Sequence, residues 1–189
     1  MQDSTTFHPA SEIIDDIRQD APFASIGNGW VLVSDRVMGG VSDGTMTREH
    51  LAGRDAIRMR GGVSLENNGG FLQIALDLGD AGSVVDASAW DGIRLDVLGN
   101  DQTYNLHLRT TDIRRPWESY RQSFDAPPTW TTVFLPFAGF APHRTGQPLR
   151  PSRLRRVGLV AIGREFEADI AIADIRFYTA SDTSELSTD

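Results

Sequence analysis

From residue 30 onward, apolar and polar side chains alternate in short runs, and clusters of Gly, Asn, Asp and Pro cut the runs apart. Alternation with period two puts successive side chains on opposite faces of an extended chain, which predicts half-buried β-strands. Residues 30–33, 56–60, 71–78, 104–109, 120–124, 130–135, 157–162 and 168–178 read as strands, and so does the run in which Ile93, Leu95 and Val97 alternate with Arg94 and Asp96. The cleanest alternation sets Tyr104, Leu106 and Leu108 against Asn105, His107 and Arg109. The next strand sets Tyr120, Gln122 and Phe124 against Arg121 and Ser123. Gly99-Asn100-Asp101 predicts a turn, and with it a hairpin, between the Val97 run and the Tyr104 run. Ahead of the strands, Ile13, Ile14 and Ile17 share one helical face behind Ser11 as N-cap, which predicts a short peripheral helix over 11–19.

Many short strands, regular turns and almost no helical period predict an all-β sandwich built as one domain over residues 21–178. Residues 1–20 read as an N-terminal segment, part disordered and part short helix, with 1–9 carrying no period at all. Residues 179–189, made of Ser, Thr, Asp and Glu with little else, read as a disordered acidic tail.

Two stretches interrupt the alternation in the same manner: Asp35-Arg36-Val37-Met38-Gly39-Gly40-Val41-Ser42-Asp43-Gly44 and Leu65-Glu66-Asn67-Asn68-Gly69-Gly70-Phe71. Paired glycines supply positive φ or admit a close backbone approach. Asp35, Gly39, Gly40, Ser42, Gly69 and Gly70 are therefore read as structural turn residues, with Asp35 and Ser42 bonding local backbone. A P-loop is excluded, because the chain has no Lys and a strand pattern follows instead of a helix.

These two stretches, with Asp91-Gly92-Ile93-Arg94-Leu95-Asp96-Val97, residues 130–140 (WTTVFLPFAGF) and residues 154–178, resemble in kind and in order the complex I intermediate-associated protein 30 family. The likeness covers roughly residues 30–178. It implies a jelly-roll β-sandwich of the galactose-binding-like class, with at most one short N-terminal helix. It also implies a non-catalytic assembly factor that recognises a partner protein, such as respiratory-complex subunits or assembly intermediates. Asn68 and Arg144 correspond to polar positions of the family's Asn-Gly-Gly and Arg-containing loop motifs. The same fold class often holds a structural calcium, for which Asp35, Ser42, Asp43, Asn67 and Asn68 would be the oxygen donors. Their spacing matches no EF-hand, and turn residues bonding their own backbone are the better reading.

A formal charge of −8, from 26 acidic and 18 basic residues, argues against nucleic-acid backbones and anionic membranes as partners. All the basic residues are Arg, which a genomic codon bias explains more economically than a specific recognition role. The absence of Cys excludes disulfides, thiolate metal sites and cysteine nucleophiles. The N-terminal residues lack a signal-peptide core and an Arg-rich transit pattern, and no run of about 18 apolar residues exists to span a bilayer. A soluble cytoplasmic protein is expected, or a mitochondrial one if a transit peptide has been removed.

His8, His50, His107 and His143 stand far apart and none has zinc-site spacing, so neither a metal nor a cofactor is expected. No nucleophile elbow appears, and Glu66, Asp96, Asp112, Glu118, Glu165 and Glu167 give no sign of converging as a catalytic pair. The candidate recognition face is the polar side of the two central strands: Asn105, His107 and Arg109 beside Arg121 and Ser123, if the strands are neighbours. A lone strand His is more often solvent-facing, and such a face is often simply solvated. Trp117, in a loop after Arg114-Arg115-Pro116, suits a recognition tip, whereas Trp90 and Trp130 read as sheet-end packing. The partner-binding set is thus Asn68, Asn105, His107, Arg109, Trp117, Arg121 and Arg144, with a carbohydrate-binding module as the alternative function on the same fold.

Overall fold

The computed structural model describes residues 8–184. Its strands are β1 (His8–Pro9), β2 (Ile13–Asp15), β3 (Val31–Ser34), β4 (Asp43–Leu51), β5 (Arg54–Val63), β6 (Phe71–Asp77), β7 (Val85–Asp86), β8 (Gly92–Leu98), β9 (Gln102–Thr110), β10 (Ser119–Ala126), β11 (Thr131–Pro136), β12 (Ala141–His143), β13 (Leu154–Ile162) and β14 (Phe166–Tyr178). One sheet runs β12-β10-β9-β13, then continues past β13 through β6 to β3 along most of its length and through β7 to β1 at its start. The other runs β11-β8-β14-β5-β4, with β2 pairing the far end of β14. The inner faces of the two sheets form one core. Leu72, Ile74, Leu106, Leu108, Val157 and Leu159 meet Ile57, Met59, Ile93, Leu95, Ile170 and Ile172 there, giving the β-sandwich that the pattern predicted and the jelly roll that the resemblance implied.

Three expectations are corrected. Asn100 and its neighbours do not close a hairpin: β8 lies in the second sheet and β9 in the first, so the 99–101 turn carries the chain across the edge of the sandwich. β8 is occupied on both flanks by β11 and β14, which leaves no edge for β9. The predicted helix over 11–19 is instead β2 on β14. Asp15 decides this, because its buried carboxylate accepts from the Trp30 indole Nε1 at 2.7 Å and from the Ile17 N–H at 2.9 Å. Finally, the start of the expected disordered tail is a short helix, α1 (Ala180–Ser184), whose first N–H donates to Asp91 Oδ2 at 2.6 Å. The disorder expected for residues 1–7 and 185–189 lies outside the described residues, and His8–Pro9 pairs with β7.

The outer face of the second sheet is a lattice of paired charges. Arg58 forms a two-pronged pair with Asp169 at 2.7 and 2.8 Å, Arg54 meets Asp96 at 2.9 Å, and Arg176 meets Asp174. Among the described residues, no helix is long and apolar enough to cross a membrane.

Candidate functional site

The two glycine stretches close on one carboxylate. Asp35 opens a 3-10 turn, Asp35–Met38, that ends at Gly39 in the left-handed conformation (φ 85°). Its Oδ1 accepts from the Ser42 N–H at 2.9 Å; its Oδ2 accepts from the Ser42 hydroxyl and the Gly70 N–H, both at 2.5 Å, and from the Phe71 N–H at 3.3 Å. A Cβ on either Gly40 or Gly69 would strike this carboxylate, so one glycine of each pair serves the close approach. Burial pushes the Asp35 carboxyl up, but the Ser42 hydroxyl and the Gly70, Ser42 and Phe71 N–H groups outweigh it and hold the pKa below its usual value. The oxygens are thus occupied by donors and not offered to a cation. Among the described residues, no group of three or more His, Asp or Glu is placed to hold a metal ion.

Tying the loops this way turns apolar side chains outward. Val37 is 74% and Met38 64% exposed, and Val41 and Leu65 on the same two loops are exposed as well. Beside Val41 lies a shallow hollow of about 540 Å³, walled by Val63 and Phe166 and rimmed by Asp43, Glu165 and Glu167. The sequence pattern marks these loops as turns, with Asn68 their one candidate partner-binding residue. The signal it passed over is Val37-Met38 itself, an apolar pair in a turn where polar residues ordinarily stand.

The polar strand faces do come together. β9 and β10 are neighbours, with Arg121 opposite His107 and Ser123 opposite Asn105. β12 adds His143 opposite Ser119. Directly opposed residues share a face, so Asn105, His107, Arg109, Arg121, Ser123 and His143 lie on the outer side of the first sheet. On the other flank Gly158 stands opposite His107, and the Gln73 side chain lies over it. Between Gln73 and Arg121, His107 is only 9% exposed and its Nε2 has no partner, in contrast to the solvent-facing histidine expected from alternation. Burial first, then the nearby Arg121 and His143, push its pKa down to about 3, so the ring is neutral near pH 7.

Arg109 has a different occupation. Its guanidinium donates to the backbone carbonyls of Pro116 (3.1 Å), Glu118 (2.8 Å) and Arg115 (3.0 Å), while Glu118 Oε2 accepts from the Arg114 and Arg115 N–H groups. These bonds fold the 111–118 loop against the sheet end and present Trp117, 51% exposed, with the Arg115 guanidinium 5.8 Å from its ring centroid. Trp90 and Trp130 sit at sheet ends, their indole N–H groups donating to Ala10 and Leu51 carbonyls. Arg144 follows His143 directly, exposed and with φ 55°. Asn68, also left-handed at φ 58°, is not part of this group. It precedes Phe71, which pairs with Ile162, whereas Arg109 pairs with Arg156; six residues of β13 separate the two levels. That places Asn68 roughly 20 Å from Arg109 along the strand direction, beside the Asp35 loops.

A family model described as complex I intermediate-associated protein 30 matches residues 17–172. The chain belongs to that family. No curated protein matches it in sequence. In structure, this family member is similar to the family 11 carbohydrate-binding module of a cellulosomal cellulase of Clostridium thermocellum, at 13% identity and TM-score 0.70, with 90% of this chain and 96% of that one covered. The same module in complex with a β-1,3-1,4-mixed-linked tetrasaccharide gives 13% identity, TM-score 0.69, and coverage of 89% and 95%. A family 30 carbohydrate-binding module, also of a Clostridium thermocellum cellulosomal cellulase, gives 12% identity, TM-score 0.60, and coverage of 92% and 96%. At such identities the likeness concerns the fold, and the family membership rests on the sequence match. Both glycine stretches that carried the resemblance fall within the matched residues, around Asp35.

Proposed function

We propose that this member of the complex I intermediate-associated protein 30 family is a non-catalytic docking module that recognises a protein partner during assembly of a respiratory complex. The observation that carries this reading is the display of Val37, Met38, Val41 and Leu65 on loops locked by Asp35. Apolar side chains gain by leaving water, and holding several of them out on ordered backbone suits a partner that buries them. Because the loops are already fixed by the carboxylate, docking spends little free energy on ordering them. The occupant that fits is a complementary apolar groove on a subunit or assembly intermediate.

The test is an affinity capture from the native organism's lysate, with bound proteins identified by mass spectrometry. The intact protein is run beside Val37→Asp/Met38→Asp and Arg121→Ala/Arg144→Ala variants. Respiratory-complex subunits on the intact protein that disappear from the Val37/Met38 variant are the expected result. Their loss only from the arginine variant would move the docking surface to the outer face of the first sheet. Recovery of no respiratory subunit by the intact protein overturns the docking reading.

One observation favours a second reading, a carbohydrate-binding module. The polar outer face of the first sheet ends at an exposed aromatic, Trp117, an arrangement suited to stacking a sugar ring beside convergent polar groups. Calorimetry with a β-glucan tetrasaccharide decides it, since heat that vanishes in Trp117→Ala is required.

A further inference from the structure

In an acidic chain whose second sheet pairs its arginines with carboxylates, the β9–β10–β12 junction of the first sheet is an exception. Arg121 faces His107 across β9–β10, Ser119 faces His143 across β10–β12, and Arg144 follows at the end of β12. Arg121 anchors its Nε on the Ser119 hydroxyl at 2.8 Å, and among the described residues its two terminal nitrogens have no protein acceptor. The charged groups that act on His107, Arg121 and His143 are all themselves basic. Burial of Arg121 adds to this repulsion, and a guanidinium held partly out of water beside another is costly unless an opposite charge completes it. A second observation points to the same spot, because the His107 Nε2 is buried with no partner, and such polar atoms are ordinarily satisfied.

We propose that this junction is a binding site for an oxyanion, the carboxylate or phosphate of a soluble ligand, gripped by the Arg121 and Arg144 guanidinium groups with the His107 imidazole beside them. Guanidinium groups suit both anions, since each presents paired N–H donors to paired oxygens. Arg121 enters with its Nε already anchored, which limits the freedom lost on binding. The neutral His107 imidazole carries one N–H, and the two guanidinium groups supply the charge. Gly158 places no side chain of its own beside His107, which leaves the flank toward β13 to the Gln73 amide. The site does not depend on the Asp35 loops, which stand at the opposite end of the sheet.

The experiment titrates the labelled full chain with inorganic phosphate and, separately, with galacturonate, following the His107 imidazole and Arg121 Nε resonances by NMR. Galactose is the uncharged control. The expected result is a saturable shift with at least one anion and none with galactose, weakened about tenfold or more in Arg121→Gln, the loss that follows from deleting a charge-assisted hydrogen bond. Response to phosphate alone or to galacturonate alone names the chemistry of the ligand. Arg144→Gln, at an exposed position, weakens binding in the same direction and keeps the test valid if Arg121→Gln folds poorly. Val37→Asp leaves the titration unchanged, which separates this site from the docking surface. Shifts that never saturate, that galactose reproduces, or that survive both arginine variants overturn the proposal.

Discussion

His107 shows how one side chain ties stability to pH. In the fold its pKa is lowered to about 3 by burial, by the facing Arg121 and by the nearby His143; in the unfolded chain it returns to the ordinary 6.5. Between these values the unfolded state binds a proton that the native state refuses. The stability present above pH 6.5 is therefore lost progressively as pH falls toward 3, with a limiting slope of about 1.4 kcal/mol per pH unit. In His107→Gln this slope should flatten between pH 6.5 and 4.5, measured as urea midpoints across the series; parallel slopes for the two proteins would contradict it. Asp35 acts in a lower window, because its depressed pKa makes its contribution disappear only below its ordinary 3.8. None of the His107 effect was legible in the sequence, where alternation assigns a residue to a face without telling what lies across it. The Gln73 side chain comes from β6, reaching over Gly158.

At the scale of elements, the Asp35 loops and the Arg109 loop are both held by a single side chain. Asp35→Asn keeps the shape but turns an amide NH₂ group toward donors, so it should cost about 3 kcal/mol by chemical denaturation. A loss indistinguishable from an exposed-site substitution would mean that the carboxylate is not what ties the loops. Arg109→Ala removes the support of three carbonyls, and a cost of about 1–2 kcal/mol is expected. It should be accompanied by faster amide exchange confined to residues 114–118, and unchanged exchange there would refute the staple role. The sequence made the turn roles of Asp35, Gly40 and Gly69 legible, because paired glycines have few other uses. It did not disclose that both stretches serve one carboxylate, since Asp35 and Gly70 are far apart in the chain and are brought together by the pairing of β3 with β6.

For the molecule as a whole, period two located the strands whose faces differ most, and the runs expected over 104–109 and 120–124 fall inside β9 and β10, neighbours in the sheet as in the chain. The pattern fails where partners are remote. β4 escaped notice, being an edge strand of mostly half-exposed residues defined by its ladder to β5. The three isoleucines near the N-terminus satisfy a helical period, and Trp30, from a different part of the chain, overrides it through Asp15. Charge behaves likewise: the total of −8 describes the average surface and conceals the basic junction on the first sheet.

The two sides of β9 and β10 are the same chain read at opposite parity. Positions 104, 106, 108, 120 and 124 build the core, whereas 105, 107, 109, 121 and 123 build the outer surface. Inserting or deleting one residue within either strand would exchange the roles and put arginine in the core. The outer surface can therefore diversify only by replacement at odd positions, while changes of length are confined to the 111–118 loop. Within this scaffold, a new specificity is reached by rewriting letters and never by shifting the frame.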